Sequence, residues 1–224
     1  TFPDGSIAVA DLDIDGGTDI NAALVDADLM IVDDGAGGTN RKATMARLAT
    51  YMGTKIGGGM EFIASSGAIS NAASASFTQF DATKYDHYQF FFQYLIPATD
   101  DVGLLAHAST DGGSNYDTTN GNYHTSDQTD RTGFIIVPDG LIGSAANEFG
   151  VSGEATLFAP HLTTYTYMKS LPIFMHVGSA GRIDGTNNYV SVKLAAADVD
   201  AIQFLFTSGN IESGEITMFG IVNS

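Results

Sequence analysis

The chain has 224 residues, of which 26 are acidic and 9 basic, a formal net charge of −17. A surface of that sign repels phosphate backbones and anionic lipid, which excludes nucleic acid as a partner class. With no cysteine there is no disulfide framework and no thiolate metal site, while 14 Phe and 9 Tyr within a 44% hydrophobic composition supply a core that a disordered chain lacks.

Residues 1–52 read as a separate attachment or oligomerisation module. The chain begins at Thr1 rather than Met, so further residues before it, or a processed start, are expected. Ile7–Ile14 alternates loosely and ends in the turn Asp15-Gly16-Gly17. From Asp11 to Ala22 the spacing matches the first half of a calcium loop, with Asp19 at the ninth position, but Ala22 stands where a bidentate Glu is required. The expectation is a strand with solvated carboxylates and no structural metal. Ala27–Asp33 is a short apolar strand, Gly35-Ala36-Gly37-Gly38 turns the chain, and Arg41–Ala43 returns as its partner. Those glycines and Lys42 lack the order of a phosphate-binding loop, so a hairpin turn is expected. Thr44 is the N-cap of a short helix in which Met45, Leu48, Ala49 and Met52 line one side, with Gly53 as its stop.

Asp26, Asp28, Leu29, Ile31, Lys42, Thr44, Leu48 and Tyr51 together make an apolar strand, a Gly-rich turn and a Thr-led helix ending in Tyr. That series resembles a small module of bacteriophage tail-fibre and related virion proteins.

Residues 53–76 form a Gly/Ala/Ser-rich neck in which only Met60–Ile63 has strand character. Such residues suit a linker, or a place where identical chains crowd around an axis. From Phe77 onward, short apolar runs alternate with Gly, Asn, Asp, Thr and Ser. Strands are expected near 74–80, 88–96, 102–109, 132–137, 151–158, 171–177, 189–194, 202–207 and 215–222. Parity places Tyr88, Phe90, Phe92, Tyr94 and Ile96 on the core face of one strand, with Gln89, Phe91, Gln93 and Leu95 behind it. The fold class is therefore mainly β: a jelly-roll-like β-sandwich over 77–224, preceded by the hairpin-plus-helix module.

This half also carries a series of punctuating residues: Tyr85, Asp86 and Tyr88, then Leu95, Pro97 and Ala98, then Ser109, Asp111, Gly112 and Gly113, and finally Ile216, Thr217, Phe219, Gly220 and Ile221. The series is similar to a β-sandwich domain of phage tail-fibre and virion proteins. That family often has Arg before its Ser-x-Asp-Gly-Gly turn, where this chain has Ala106, His107 and Ala108.

No nucleophile elbow is present, and Val151-Ser152-Gly153 is a turn fragment. The five histidines, His87, His107, His124, His161 and His176, form no ligand spacing, and the five glutamates, Glu61, Glu148, Glu154, Glu212 and Glu215, offer few acids for hydrolysis. No catalytic residue, cofactor or metal is expected. The polar stretch Thr110–Arg131 is either a solvated hairpin or a binding loop, and within it Tyr116, Asp117, Tyr123 and His124 are the candidate receptor or glycan contacts. No apolar run approaches the roughly 20 residues of a membrane span.

The two resemblances imply a structural subunit on the exterior of a phage particle, a tail fibre or similar appendage beside other virion structural proteins. A capsid-decorating cement or head-fibre protein is the alternative within that class, and a carbohydrate-binding module of a secreted enzyme is the alternative outside it. Phage fibres imply a homotrimer, with Leu29, Ile31, Met45, Leu48 and Met52 as its interface.

Overall fold

The computed structural model describes residues 19–33, 40–55, 59–125, 131–178, 183–184 and 188–222. It divides into two compact units, Thr1–Gly57 and Gly58–Ser224.

In the first unit, β1 (Leu29–Asp33) and β2 (Asn40–Thr44) pair antiparallel, and α1 (Met45–Lys55) follows directly. Thr44 is the cap, its Oγ1 accepting the Arg47 N–H at 3.3 Å. The two Asp residues of the first resemblance anchor the hairpin to the helix start. The Asp28 carboxylate accepts the Val25 N–H at 2.8 Å, and the carbonyls of Asp28 and Asp26 accept the N–H groups of Met45 and Ala46. The helix runs through Gly53 to Lys55, past its expected stop. A glycine inside a helix costs only about 1 kcal/mol relative to Ala, so it weakens the last turn without ending it. The expected strand at Ile7–Ile14, most of the Asp11–Ala22 loop and the turn Gly35–Gly38 lie outside the described residues.

The second unit contains β3 (Met60–Ser65), β4 (Ile69–Ala72), β5 (Ala75–Phe77), β6 (Tyr85–Pro97), β7 (Val102–Ser109), β8 (Tyr123–Thr125), β9 (Phe134–Ile142), β10 (Val151–Phe158), β11 (Thr166–Met175), β12 (Ile183–Asp184), β13 (Tyr189–Lys193), β14 (Ala201–Phe206) and β15 (Ile211–Val222). The larger sheet runs β3-β15-β6-β10-β11-β13-β8, with β4 also on β15 and β12 on β11, and the smaller runs β5-β14-β7-β9. Without β4, β8 and β11 to β13, eight strands remain, and their pairing is nested. First pairs with last (β3 and β15), second with seventh (β5 and β14), third with sixth (β6 and β10) and fourth with fifth (β7 and β9). That is one long hairpin rolled into two sheets, the connectivity of a jelly roll. Of the added strands, β11, β12, β13 and β8 extend the larger sheet beyond β10, and β4 lies on β15.

The strands expected at 60–63 and near 74–80 are present as β3 and β5, and the neck between and around them is corrected. Residues 60–65, 69–72 and 75–77 are sandwich strands, and Ile69, Ala75 and Phe77 are buried in the core. The small residues between them turn a strand that breaks and changes sheet, so they are neither a linker nor an axial stem.

Rings from both sheets fill the interior. Phe90 and Phe92 of β6 meet Phe204 of β14 with centroids 4.9 and 5.3 Å apart, and Phe77 of β5 sits 5.6 Å from Phe90. Edge-to-face pairs of this kind contribute about 1 kcal/mol beyond their burial.

Alternation along β6 holds from Tyr88 to Phe92 and then inverts. Tyr94, expected in the core, has φ of +47° and is 61% exposed, while Leu95, expected behind it, is fully buried. Both neighbouring strands shift register at the same level, β10 between Val151 and Gly153 and β15 between Ser213 and Glu215. At Gly214, φ is +124° and a Cβ would lie 2.6 Å from the Tyr94 carbonyl oxygen. One bulge thus crosses three strands, and it also moves Ile96 out of the core register. Gly220 of the closing motif meets a different need: the Tyr85 ring lies where its Cβ would stand.

Candidate functional site

The turn that begins the long polar connection caps itself. Ser109 Oγ donates to Asp111 at 2.8 Å and accepts the N–H groups of Asp111 and Gly113. Asp111 also accepts the backbone and side-chain N–H groups of Asn115 at 2.8 and 2.7 Å, and the Gly112 N–H reaches across to Asp200 at 2.9 Å. The Asn115 side chain and backbone, followed by Ser109, hold the Asp111 carboxyl below the usual range. The Ser-x-Asp-Gly-Gly series is accordingly a structural turn.

Beyond it, Asp117 and Lys193 form an ion pair in which Lys193 is only 2% exposed. Burial alone would raise the Asp117 pKa, but the Lys193 ammonium, the Thr119 N–H at 2.9 Å and the Asn122 amide outweigh it and lower the carboxyl to about 2. The same ammonium lies 4.9 Å above the Tyr123 ring. Tyr123 is fully buried, accepting the Ala108 N–H at 3.0 Å and donating to the Asp117 carbonyl at 3.1 Å, and its burial pushes the phenol pKa up.

Four loop residues, Thr110, Asp111, Asn115 and Tyr116, line a cleft of about 280 Å³ together with Asp117 and Lys193. This volume sits at the lower edge of small-molecule pockets, which span roughly 300–1,000 Å³. Of the four predicted contacts, the fold brings Tyr116 and Asp117 to this cleft. Tyr123 is corrected: it is a core residue beneath the ion pair, with no surface to offer a glycan. His124 is half-buried on β8 opposite Val192, on the other face of the sheet from Tyr123. Asn115 and Lys193 escaped the sequence reading. A lone Lys after Tyr189–Val192 looks like a strand end in water, and nothing local marks it as buried.

Four glutamates and one histidine have structural partners. Glu61 pairs with Lys84 at 2.5 Å and accepts the Tyr85 hydroxyl at 2.9 Å. The Glu148 carboxylate caps the loop around it, accepting the Ala145 N–H at 2.8 Å and the Gly178 N–H at 3.2 Å. Glu154 accepts the Gln89 amide at 2.8 Å, Glu215 accepts Ser65 Oγ, and His87 accepts the Ala159 N–H at 3.0 Å. His107 lies buried on β7, where burial lowers its pKa against a smaller opposing pull from Asp117. Ser152 accepts the Tyr94 N–H at 3.0 Å beside the bulge. Among the described residues no three His, Asp or Glu side chains converge as metal ligands would. No protein-family model matches the chain, and no curated protein matches its sequence.

Proposed function

We propose that this chain is a structural subunit of a bacteriophage particle, a tail fibre or similar appendage on the virion exterior, assembled as a homotrimer beside other virion proteins. Support comes from the two sequence resemblances and, in the structure, chiefly from the state of the first unit. Leu29, Ile31, Leu48 and Met52 are exposed and Met45 is only partly covered, although β1 and β2 are paired and the helix is capped. A small unit removes only about 60% of its chain's surface from water, so apolar side chains left open need a partner surface. Copies of the same chain are the simplest one. A capsid-decorating position calls for the same chemistry. Among the described residues no helix is long and apolar enough to cross a membrane.

Native mass and light scattering test the assembly. The expected result is a trimer that Leu48→Asp loosens while the sandwich keeps its β-sheet circular dichroism. A monomer at micromolar concentration, with the first unit still resistant to protease, would sink the trimer. Imaging particles that carry a labelled subunit tests the virion assignment.

The cleft favours a second reading, a glycan-binding module, because Tyr116, Asn115 and the two carboxylates offer a ring face and hydroxyl partners. A glycan array probed with the full chain, and again with Tyr116→Ala, decides it: binding by a monomer that the variant loses favours the module.

A further inference from the structure

The cleft beside the Ser109–Gly113 turn has two chemically distinct sides. On one, Ala108, Ala195 and Ala197 present nothing larger than methyl groups, which leaves the space of about 280 Å³ open. Tyr116 adds a half-buried ring to that side. Its hydroxyl packs against Gly113, where a Cβ would stand 3.0 Å from it, so the ring is set in place before any ligand arrives. An aromatic ring flanked by methyl groups suits the C–H face of a sugar ring.

The other side is polar and only partly used. Among the described residues the Thr110 hydroxyl has no hydrogen-bond partner. Asp111 Oδ1 accepts from Ser109 and from the Asn115 N–H, whereas Oδ2 accepts only the Asn115 amide, which leaves it a lone pair. The Asn115 amide donates one N–H there and keeps its second N–H and its oxygen. All of these are hydroxyl partners, and none is a cation. Lys193 is the basic residue of the cleft, but it is 2% exposed, paired with Asp117 and seated over the Tyr123 ring. Asp111 has no cation beside it among the described residues and is held ionised by Asn115 and Ser109. The cleft therefore carries one uncompensated negative charge, in a chain of net −17.

We infer that the ligand of this cleft is a single neutral sugar ring and that acidic sugars are turned away. The inference rests on the glycan reading of the cleft and adds the charge class to it. A carboxylate on the ring would face Asp111 with no free ammonium to answer it, and like charges brought together cost more than a hydroxyl contact returns. Lys193 does not reverse this, because drawing it to a ligand would leave Asp117 without its counter-charge.

The test titrates the full chain, by nuclear magnetic resonance, with sugars that differ only in a hydroxymethyl or a carboxylate: galactose and galacturonate, glucose and glucuronate, mannose and mannuronate. At about 0.01 M salt a neutral member should bind, and its acidic counterpart should bind at least about tenfold more weakly. At about 0.5 M salt that gap should narrow, because only the acidic member feels the repulsion being screened. Ala197→Leu fills the cleft and should abolish binding of the neutral sugar with the β-sheet circular dichroism unchanged. Ala195→Leu, at the other half-buried alanine, makes the same test if the first variant does not fold. An acidic member that binds as tightly as its neutral counterpart overturns the inference and leaves the glycan reading standing. Binding that survives in folded Ala197→Leu and Ala195→Leu proteins places the sugar elsewhere and overturns both. A chain that binds none of these sugars likewise removes the glycan reading together with the inference.

Discussion

Asp117 and Lys193 set the acid behaviour of the sandwich. The folded pKa of Asp117 lies at about 2, below its unfolded value, so the pair's stabilisation is fully present above about pH 4 and is lost as pH falls through 2. The expected contribution is about 2 kcal/mol at neutral pH, read as the difference between the parent and Asp117→Asn in the urea unfolding free energy lost between pH 6 and pH 2.5, since the carboxyls of Asp111, Asp81 and Glu61 are lowered as well. Asp117→Asn should flatten that slope and itself cost about 3–5 kcal/mol, because it leaves the Lys193 ammonium buried without a counter-ion. Adding Lys193→Met should recover most of that loss. If the single variant unfolds like the parent at pH 6, the pair is solvated and not a core element. A matched contrast lies on β6, where Phe92 packs on Phe204 and Tyr94 is exposed. Phe92→Ala should cost about 3–5 kcal/mol and Tyr94→Ala under about 1 kcal/mol. Equal costs would mean that the bulge is absent.

At the scale of elements, that bulge should be specified by glycine. Gly214→Ala sets a Cβ against the Tyr94 carbonyl at a φ that L residues rarely adopt, and the expected loss is about 2 kcal/mol or more with an unchanged denaturant slope. A neutral result would show that β15 can slip its register. Much of this architecture was legible from local chemistry. Thr44 announced its helix, and the aromatic run Tyr88–Phe92 announced its core face. Pro97 and Gly112-Gly113 bounded β7, and Gly150 and Pro160 bounded β10. What stayed hidden depends on neighbours distant in sequence. Tyr94 inverts because β10 and β15 bulge beside it, and Ile69–Ala72 forms a strand because β15 is there to pair with. On β13, a strand was visible but its sense was not, since its serine and lysine face inward and Val190 and Val192 outward. Of the candidate site, the loop was legible from its polarity. Its anchor was not, because Lys193 lies 76 residues from Asp117.

At the scale of the whole molecule, charge and apolar surface act against each other. Each copy carries −17, and at about 0.01 M salt the screening length is about 30 Å, so whole copies repel across a gap wider than any contact. At about 0.5 M that length falls below about 5 Å, and only groups in contact feel one another. An assembly held by the apolar side chains of the hairpin-helix unit should tighten as salt rises. Sedimentation equilibrium of the full chain should show the dissociation constant falling about tenfold between these conditions, a gain of about 1.4 kcal/mol. Leu48→Asp should weaken association at both salts, because it puts a charge where an apolar contact is required. A dissociation constant that rises with salt would identify the seam as ionic. It would then have to be built on the nine basic residues.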